Sequence, residues 1–141
     1  MRLVLDTNVV MDLLHFRDVA VQAVAEAIAA GSACCLADEA TLEELARVVG
    51  YPEFGLDAAS RAGLLARYRA MVAVVPLAEP PRLPRCKDPD DQKFLELAAR
   101  AGADLLVSKD KALLHLKGRQ CLAFRILAPA VAGELLSSTR R

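Results

Sequence analysis

Five short, mostly apolar runs alternate along this chain with longer segments of helical period, and no other feature restricts its fold so much. The runs are residues 2–5, 33–37, 71–75, 104–107 and 121–127. Each is too brief for a helix and is flanked by Gly, Pro or Asp, the pattern of a buried strand. Helical patterning fills residues 7–14, 18–30, 38–49, 57–70, 89–101 and 109–115, and Pro129 opens a last short helix. Asp18 and Asp38 are expected N-caps, while Gly31 and Gly102 are expected stops. Within 38–49, Leu42, Leu45, Ala46 and Val49 fall at i, i+3, i+4 and i+7, one apolar stripe. Leu64, Leu65 and Tyr68 form the corresponding side of 57–70. Strand alternating with helix predicts an α/β fold, a parallel sheet of about five strands with helices on both faces.

The 141 residues suit one domain, expected over residues 1–136 with a frayed tail at 137–141. Residues 76–87, with Pro76, Pro80, Pro81 and Pro84, read as a semi-rigid loop inside that domain. A 55% hydrophobic content beside 26% charged residues excludes a disordered chain. Lys plus Arg equals Asp plus Glu, 18 each, so no net field attracts nucleic acid. The basic residues are nevertheless clustered, at Arg82, Arg85 and Lys87 and at Lys109, Lys111, Lys117 and Arg119. Cys34, Cys35, Cys86 and Cys121 match no zinc spacing and read as structural, reduced thiols, with Cys34 and Cys35 expected buried. Neither a signal peptide nor a membrane span is apparent, and the chain is expected in the cytoplasm.

The chemistry lies in the placement of aspartates. Asp6 follows the first run, Asp110 follows the fourth, and Asp88, Asp90 and Asp91 open the helix at 89–101. In an open parallel sheet, such junctions meet in the crevice outside the carboxyl ends of the strands. Carboxylates crowded there repel one another, and a hard divalent cation with oxygen ligands is the usual remedy. The pattern points to a metal-dependent enzyme acting on phosphodiesters. Each acid also has a capping explanation. Asp6 suits the helix opening at Thr7, and Asp110 suits a first turn behind a Ser108 cap. Asp88-Pro89-Asp90-Asp91 reads as an N-cap, a proline at N1 and two dipole-complementing acids, with Asp91 in the capping-box position. Glu43 or Glu44 reaches toward the same crevice, although both also read as part of a solvated helix face. Glu44 lies opposite the Leu42/Leu45 stripe, and Glu43 on its flank. His15 and His115 read as surface or helix-end residues.

Four blocks carry a family resemblance: Leu3-Val4-Leu5-Asp6-Thr7-Asn8-Val9, Thr41-Leu42-Glu43-Glu44-Leu45, Cys86-Lys87-Asp88-Pro89-Asp90-Asp91-Gln92-Lys93-Phe94-Leu95 and Ala103-Asp104-Leu105-Leu106-Val107-Ser108-Lys109-Asp110-Lys111-Ala112-Leu113-Leu114. In this order and spacing the chain resembles the PIN-domain ribonucleases, especially the bacterial toxin components of toxin–antitoxin modules (VapC-like). The resemblance implies a PIN-like three-layer sandwich. It implies a Mg²⁺- or Mn²⁺-dependent endoribonuclease whose metal-binding, catalytic acids are Asp6, Glu44, Asp91 and Asp110. Asn8 and Ser108 are then polar supports, and Asp88 an additional ligand or cap. Glu44 is preferred to Glu43 because the family's glutamate directly precedes a leucine, as Glu44 does Leu45. Ser108 stands where many members have threonine, which retains the hydroxyl. Implied partners are an RNA substrate, a cognate antitoxin and a second copy of the chain, without a membrane.

Arg85 and Lys87 on the loop before Asp88, and Lys109 and Lys111 around Asp110, are expected to steer phosphates inward. No helix carries a base-reading array, so single-stranded or looped RNA is the expected target. Tyr51, Phe54 and Tyr68 are the nearest stacking candidates, with core packing expected for at least one. The alanine- and leucine-rich helices at 19–30 and 57–70 suggest apolar surface left over for a partner. Two rivals differ in class. An aspartyl phosphatase normally has a second acid two residues after the first, where this chain has Asn8. A catalytically silent PIN-like binding module lacks some of the acids that this chain retains.

Overall fold

The computed structural model describes residues 1–79, 81–116 and 122–139. The features noted at Pro80, Lys117, Arg119 and Cys121 lie outside these residues. Five strands form: β1 (Arg2–Leu5), β2 (Cys34–Ala37), β3 (Val72–Val74), β4 (Leu105–Val107) and β5 (Arg125–Leu127). They make one sheet in the order β3-β2-β1-β4-β5, and every pairing is parallel. Leu3 pairs with Cys35 on one side and with Leu105 on the other.

Seven α-helices connect and cover the strands: α1 (Thr7–Met11), α2 (Gln22–Ala29), α3 (Glu39–Val48), α4 (Ala58–Met71), α5 (Gln92–Arg100), α6 (Lys111–Leu114) and α7 (Pro129–Thr139), as seen among the described residues. The helix expected at 7–14 is α1 followed by a π-helical turn, Asp12–Phe16, which Arg17 ends at φ 53°. Asp18 caps the next turn by accepting from the Ala20 amide at 2.9 Å. Gly31 and Gly102 take the left-handed conformation, φ 79° and 66°, that stops a helix at little steric cost. At the far end, α7 runs through Ser137 and Ser138 to Thr139, beyond the expected fray at 137. It packs closely on α2, where a Cβ at Gly133 would stand 3.0 Å from that of Ala23.

Strand alternation divides the core between two faces. Leu3, Leu5, Cys35, Ala37, Leu105, Val107 and Leu127 face the cluster built with α1, α2, α3, α4 and α7. Val4, Leu36, Leu106 and Ile126 face the cluster built with α5 and α6, around Phe94, Leu95, Leu97 and Leu113. The result is the three-layer α/β arrangement. Tyr68 is buried, with its hydroxyl 3.6 Å from the Cys35 sulfur, so it belongs to the core and offers no stacking surface. Cys34 corrects another expectation. It is exposed at the first position of β2, whereas Cys35 and Leu36, further along the strand, are buried against the two core layers. Among the described residues, no helix is long and apolar enough to cross a membrane.

The chain moves from β1 outward through β2 to β3, then returns to the other side of β1 for β4 and β5. The order therefore reverses between β1 and β4, and a crevice opens beyond their carboxyl ends. Local sequence fixes the helix that borders it. Asp38 accepts from the Thr41 amide at 2.8 Å, and Thr41 Oγ1 accepts from the Asp38 amide at 3.1 Å, a reciprocal capping box at the start of α3. Thr41→Val is expected to cost about 1 kcal/mol by removing the returning bond. A thermal melt should then fall by a few degrees, and an unchanged melt would show that this cap does not hold α3.

Candidate active site

Six acids and amides from the sequence blocks line one cleft of about 170 Å³ at the switch point: Asp6, Asn8, Glu44, Asp88, Asp91 and Asp110. Water fills ~30 Å³ per molecule, so the space suits a few waters or a hydrated ion rather than a whole nucleotide. Capping and a common cleft coexist at three of these acids. Asp6 Oδ1 accepts from the Val9 amide at 3.0 Å, Asp88 Oδ1 from Asp90 at 3.0 Å, and Asp110 Oδ1 from Ala112 at 2.8 Å. Each cap occupies one carboxylate oxygen and fixes where the other points.

Two local expectations change. Asp110 is itself the N-cap of α6, and Ser108 Oγ accepts from the Asp110 amide at 2.9 Å instead of capping the helix. Asp91 is not a capping-box acid. Asp88 starts a 3-10 turn, Pro89–Asp91, whose amide at Asp90 takes the cap, and Asp91 Oδ2 is buried without a hydrogen-bond partner among the described residues. Ser108, fully buried at the end of β4, also donates its hydroxyl to Asp6 Oδ2. One side chain thus ties together the ends of β1 and β4.

The acids are not equivalent. Ligand atoms of Asp88, Asp91 and Asp110 lie within 4.8 Å of one another. Asp6 borders them and has both oxygens engaged, by Val9 and Ser108. Glu44 is buried, whereas Glu43 is exposed and does not line the cleft. The solvated-face explanation of Glu44 therefore fails: its side of α3 meets α5, and Lys93 Nζ donates to Glu44 Oε1 at 2.9 Å. The Thr7 hydroxyl donates to Glu44 Oε2. Asp38, also at a strand end, stays apart because its second oxygen is taken by Arg100.

Burial and mutual repulsion raise two of these carboxyls. Asp6 is pushed up to about 6, chiefly by burial and further by the charges of Asp110 and Glu44, against the lowering bonds from Ser108 and Val9. Asp91 is pushed up to about 8, again by burial first, then by the adjoining Asp110 carboxylate and the charges of Asp88 and Asp6. A site that raises its own acids in this way suits a positive ligand.

The basic residues are less concentrated than the sequence suggested. Lys109 Nζ is held by buried Asp12 at 2.5 Å, a pairing with no sequence signal because it joins the turn after α1 to the loop after β4. Arg85, Lys87 and Lys111 are exposed and form no ion pair among the described residues. Arg85 lines a separate hollow with Arg82, Gln92 and Glu96. His15 stacks edge-on against Phe16 and Phe54, away from the acids. Thr7 and Lys93 escaped the sequence reading. Thr7 stood beside the more conspicuous Asp6, and Lys93 gains its partner only from the packing of α5 beside α3.

A protein-family model described as PIN domain matches residues 2–112. The chain belongs to the PIN domain family. Members of this family are in general nucleases that use divalent metals. A search of curated proteins found no match.

Proposed function

We propose that this chain is a Mg²⁺- or Mn²⁺-dependent endoribonuclease that hydrolyses RNA phosphodiesters at the cleft lined by Asp6, Glu44, Asp91 and Asp110. The observation that carries this reading is the convergence of Asp88, Asp91 and Asp110 ligand atoms within 4.8 Å, with Asp91 Oδ2 buried and without a hydrogen-bond partner among the described residues. An orphaned buried carboxylate oxygen is costly unless a cation completes it. The all-oxygen donor set fits a hard divalent ion, and the raised carboxyls of Asp6 and Asp91 are those that such a charge would return to the ionised form. Asp88, Asp91 and Asp110 would hold the ion, with Asp6 beside them and Glu44 across the cleft. When bound, such an ion supplies Lewis acidity, lowering the pKa of water and stabilising charge that builds on phosphorus.

The chain's own groups prepare the site. Ser108 fixes Asp6 and positions Asp110 through its amide. Exposed Lys87 and Lys111, next in sequence to Asp88 and Asp110, favour an anionic substrate, while Asn8 contributes an amide to the cleft lining. Asn8 in place of a second acid speaks against an aspartyl phosphatase. The biological role we propose is the toxin of a toxin–antitoxin pair, acting in the cytoplasm and bound by a cognate antitoxin and by a second copy. Apolar side chains left in solvent support partners of this kind, notably Val19 at 86%, Phe16 at 56% and Val131 at 48% exposure.

The test is cleavage of single-stranded RNA by purified protein with Mn²⁺ or Mg²⁺, beside a chelated sample. Cleavage that requires the metal is the expected result. Metal-independent cleavage, or none with the antitoxin shown to be absent, would overturn the reading.

A further inference from the structure

The cleft has two unlike halves. On one side, Asp88, Asp91 and Asp110 converge without an ion pair to any Lys or Arg among the described residues. On the other, both Glu44 oxygens are already engaged, Oε2 by the Thr7 hydroxyl and Oε1 by Lys93 Nζ at 2.9 Å. The pair is sheltered, with Glu44 and Lys93 side chains 11% and 24% exposed. Arg47 approaches Glu44 only to 4.0 Å from a largely exposed position. Lys93 follows Asp91 by two residues, so the same helix start carries an acid to one half and an ammonium to the other.

We infer that Lys93 is the resident counter-cation of the Glu44 half, a positioning residue that limits the free chain to one divalent ion, held at Asp88, Asp91 and Asp110. The inference rests on the metal-dependent reading above and adds to it a place for the second positive charge. An ammonium at Glu44 balances that carboxylate inside a low-dielectric cleft, where an unpaired charge is costly. It also opposes a second dication by repulsion and by occupying a ligand oxygen. Were Lys93 only a support that aims Glu44 at metal, its loss would weaken metal binding. As a competing cation, its loss strengthens it.

The experiment is a Mn²⁺ titration of the purified chain without RNA, followed calorimetrically and by the electron paramagnetic resonance of free Mn²⁺. The wild type is expected to bind one ion per chain. Lys93→Met, which keeps the length of the stem without the charge, is expected to bind two, and Lys93→Arg to return to one. Circular dichroism of each variant checks folding. Two ions in the wild type overturn the inference without recourse to any variant. One ion in both wild type and Lys93→Met, at equal affinity, overturns it while leaving the metal site intact. No Mn²⁺ bound by any form removes the metal-dependent reading and this inference together.

Discussion

Replacing Asp91 by asparagine is expected to lower metal-dependent RNA cleavage by at least about 100-fold, since even outer-shell partners of a metal site are worth 10–100-fold. The same substitution should leave the metal-free chain at least as stable as before. Asp91 is the acid on which the unfavourable influences converge: burial, the adjoining Asp110 carboxylate, and the charges of Asp88 and Asp6 all raise its pKa to about 8. Among the described residues its Oδ2 has no hydrogen-bond partner to offset them. An amide keeps the shape, removes the charge and is a much weaker ligand for a hard dication than a carboxylate. Activity and stability should therefore move in opposite directions, as expected where a site is built for function at the expense of the fold. Cleavage rates in Mn²⁺ and thermal melts in a chelator measure the two halves. A variant that loses activity because it melts early would mean that Asp91 is structural, and the cleft would lose its central ligand.

Why that site was partly legible beforehand follows from how it is made. Asp6 and Asp88 are caps, and caps are local, so their positions follow from the residues after each of them; at Asp110 the same local pattern put the cap two residues early, at Ser108. The five apolar runs are local too, and all five became strands. The strand order was not local. Nothing in the runs states that β4 lies beside β1 while β3 takes the far edge, yet that order brings Ser108 to Asp6. Glu44 shows the same boundary. Its wheel position opposite Leu42 and Leu45 is correct, but a side facing away from one core layer can still meet another helix. Here α5 supplies Lys93, and a residue that looked solvated is buried in an ion pair. Lys109 is the converse case. Adjacent to Asp110 in sequence, it is drawn to Asp12 by the turn after α1.

The pH dependence of the metal-free fold should run opposite to ordinary acid denaturation in its Asp6 contribution. Asp6 rises from 3.8 to about 6 on folding, and Asp91 from 3.8 to about 8, so the folded chain holds protons that the unfolded chain has released. Stability from these groups is therefore fully present below pH 3.8 and is lost as pH rises through about 6 for Asp6 and about 8 for Asp91. For nearly completely buried Asp6, the rise from 3.8 to about 6 corresponds to a loss on the order of 3 kcal/mol. Asp91 is less deeply buried and adds a smaller, solvent-screened share. Asp57 acts in the reverse sense, because its pKa is lowered by its cap on Ser60. The measurement is thus a difference: denaturant unfolding of wild type and Asp6→Asn, both in chelator, from pH 4 to pH 8. The variant should gain on the wild type steadily above pH 4, with most of the gain reached by pH 7. Added Mn²⁺ should close the gap by stabilising the wild type more at pH 8 than at pH 5, because binding there displaces fewer protons. Parallel curves for the two proteins would mean that Asp6 is as comfortable charged in the fold as in water. The strain attributed to the cleft would then have to reside in Asp91 alone.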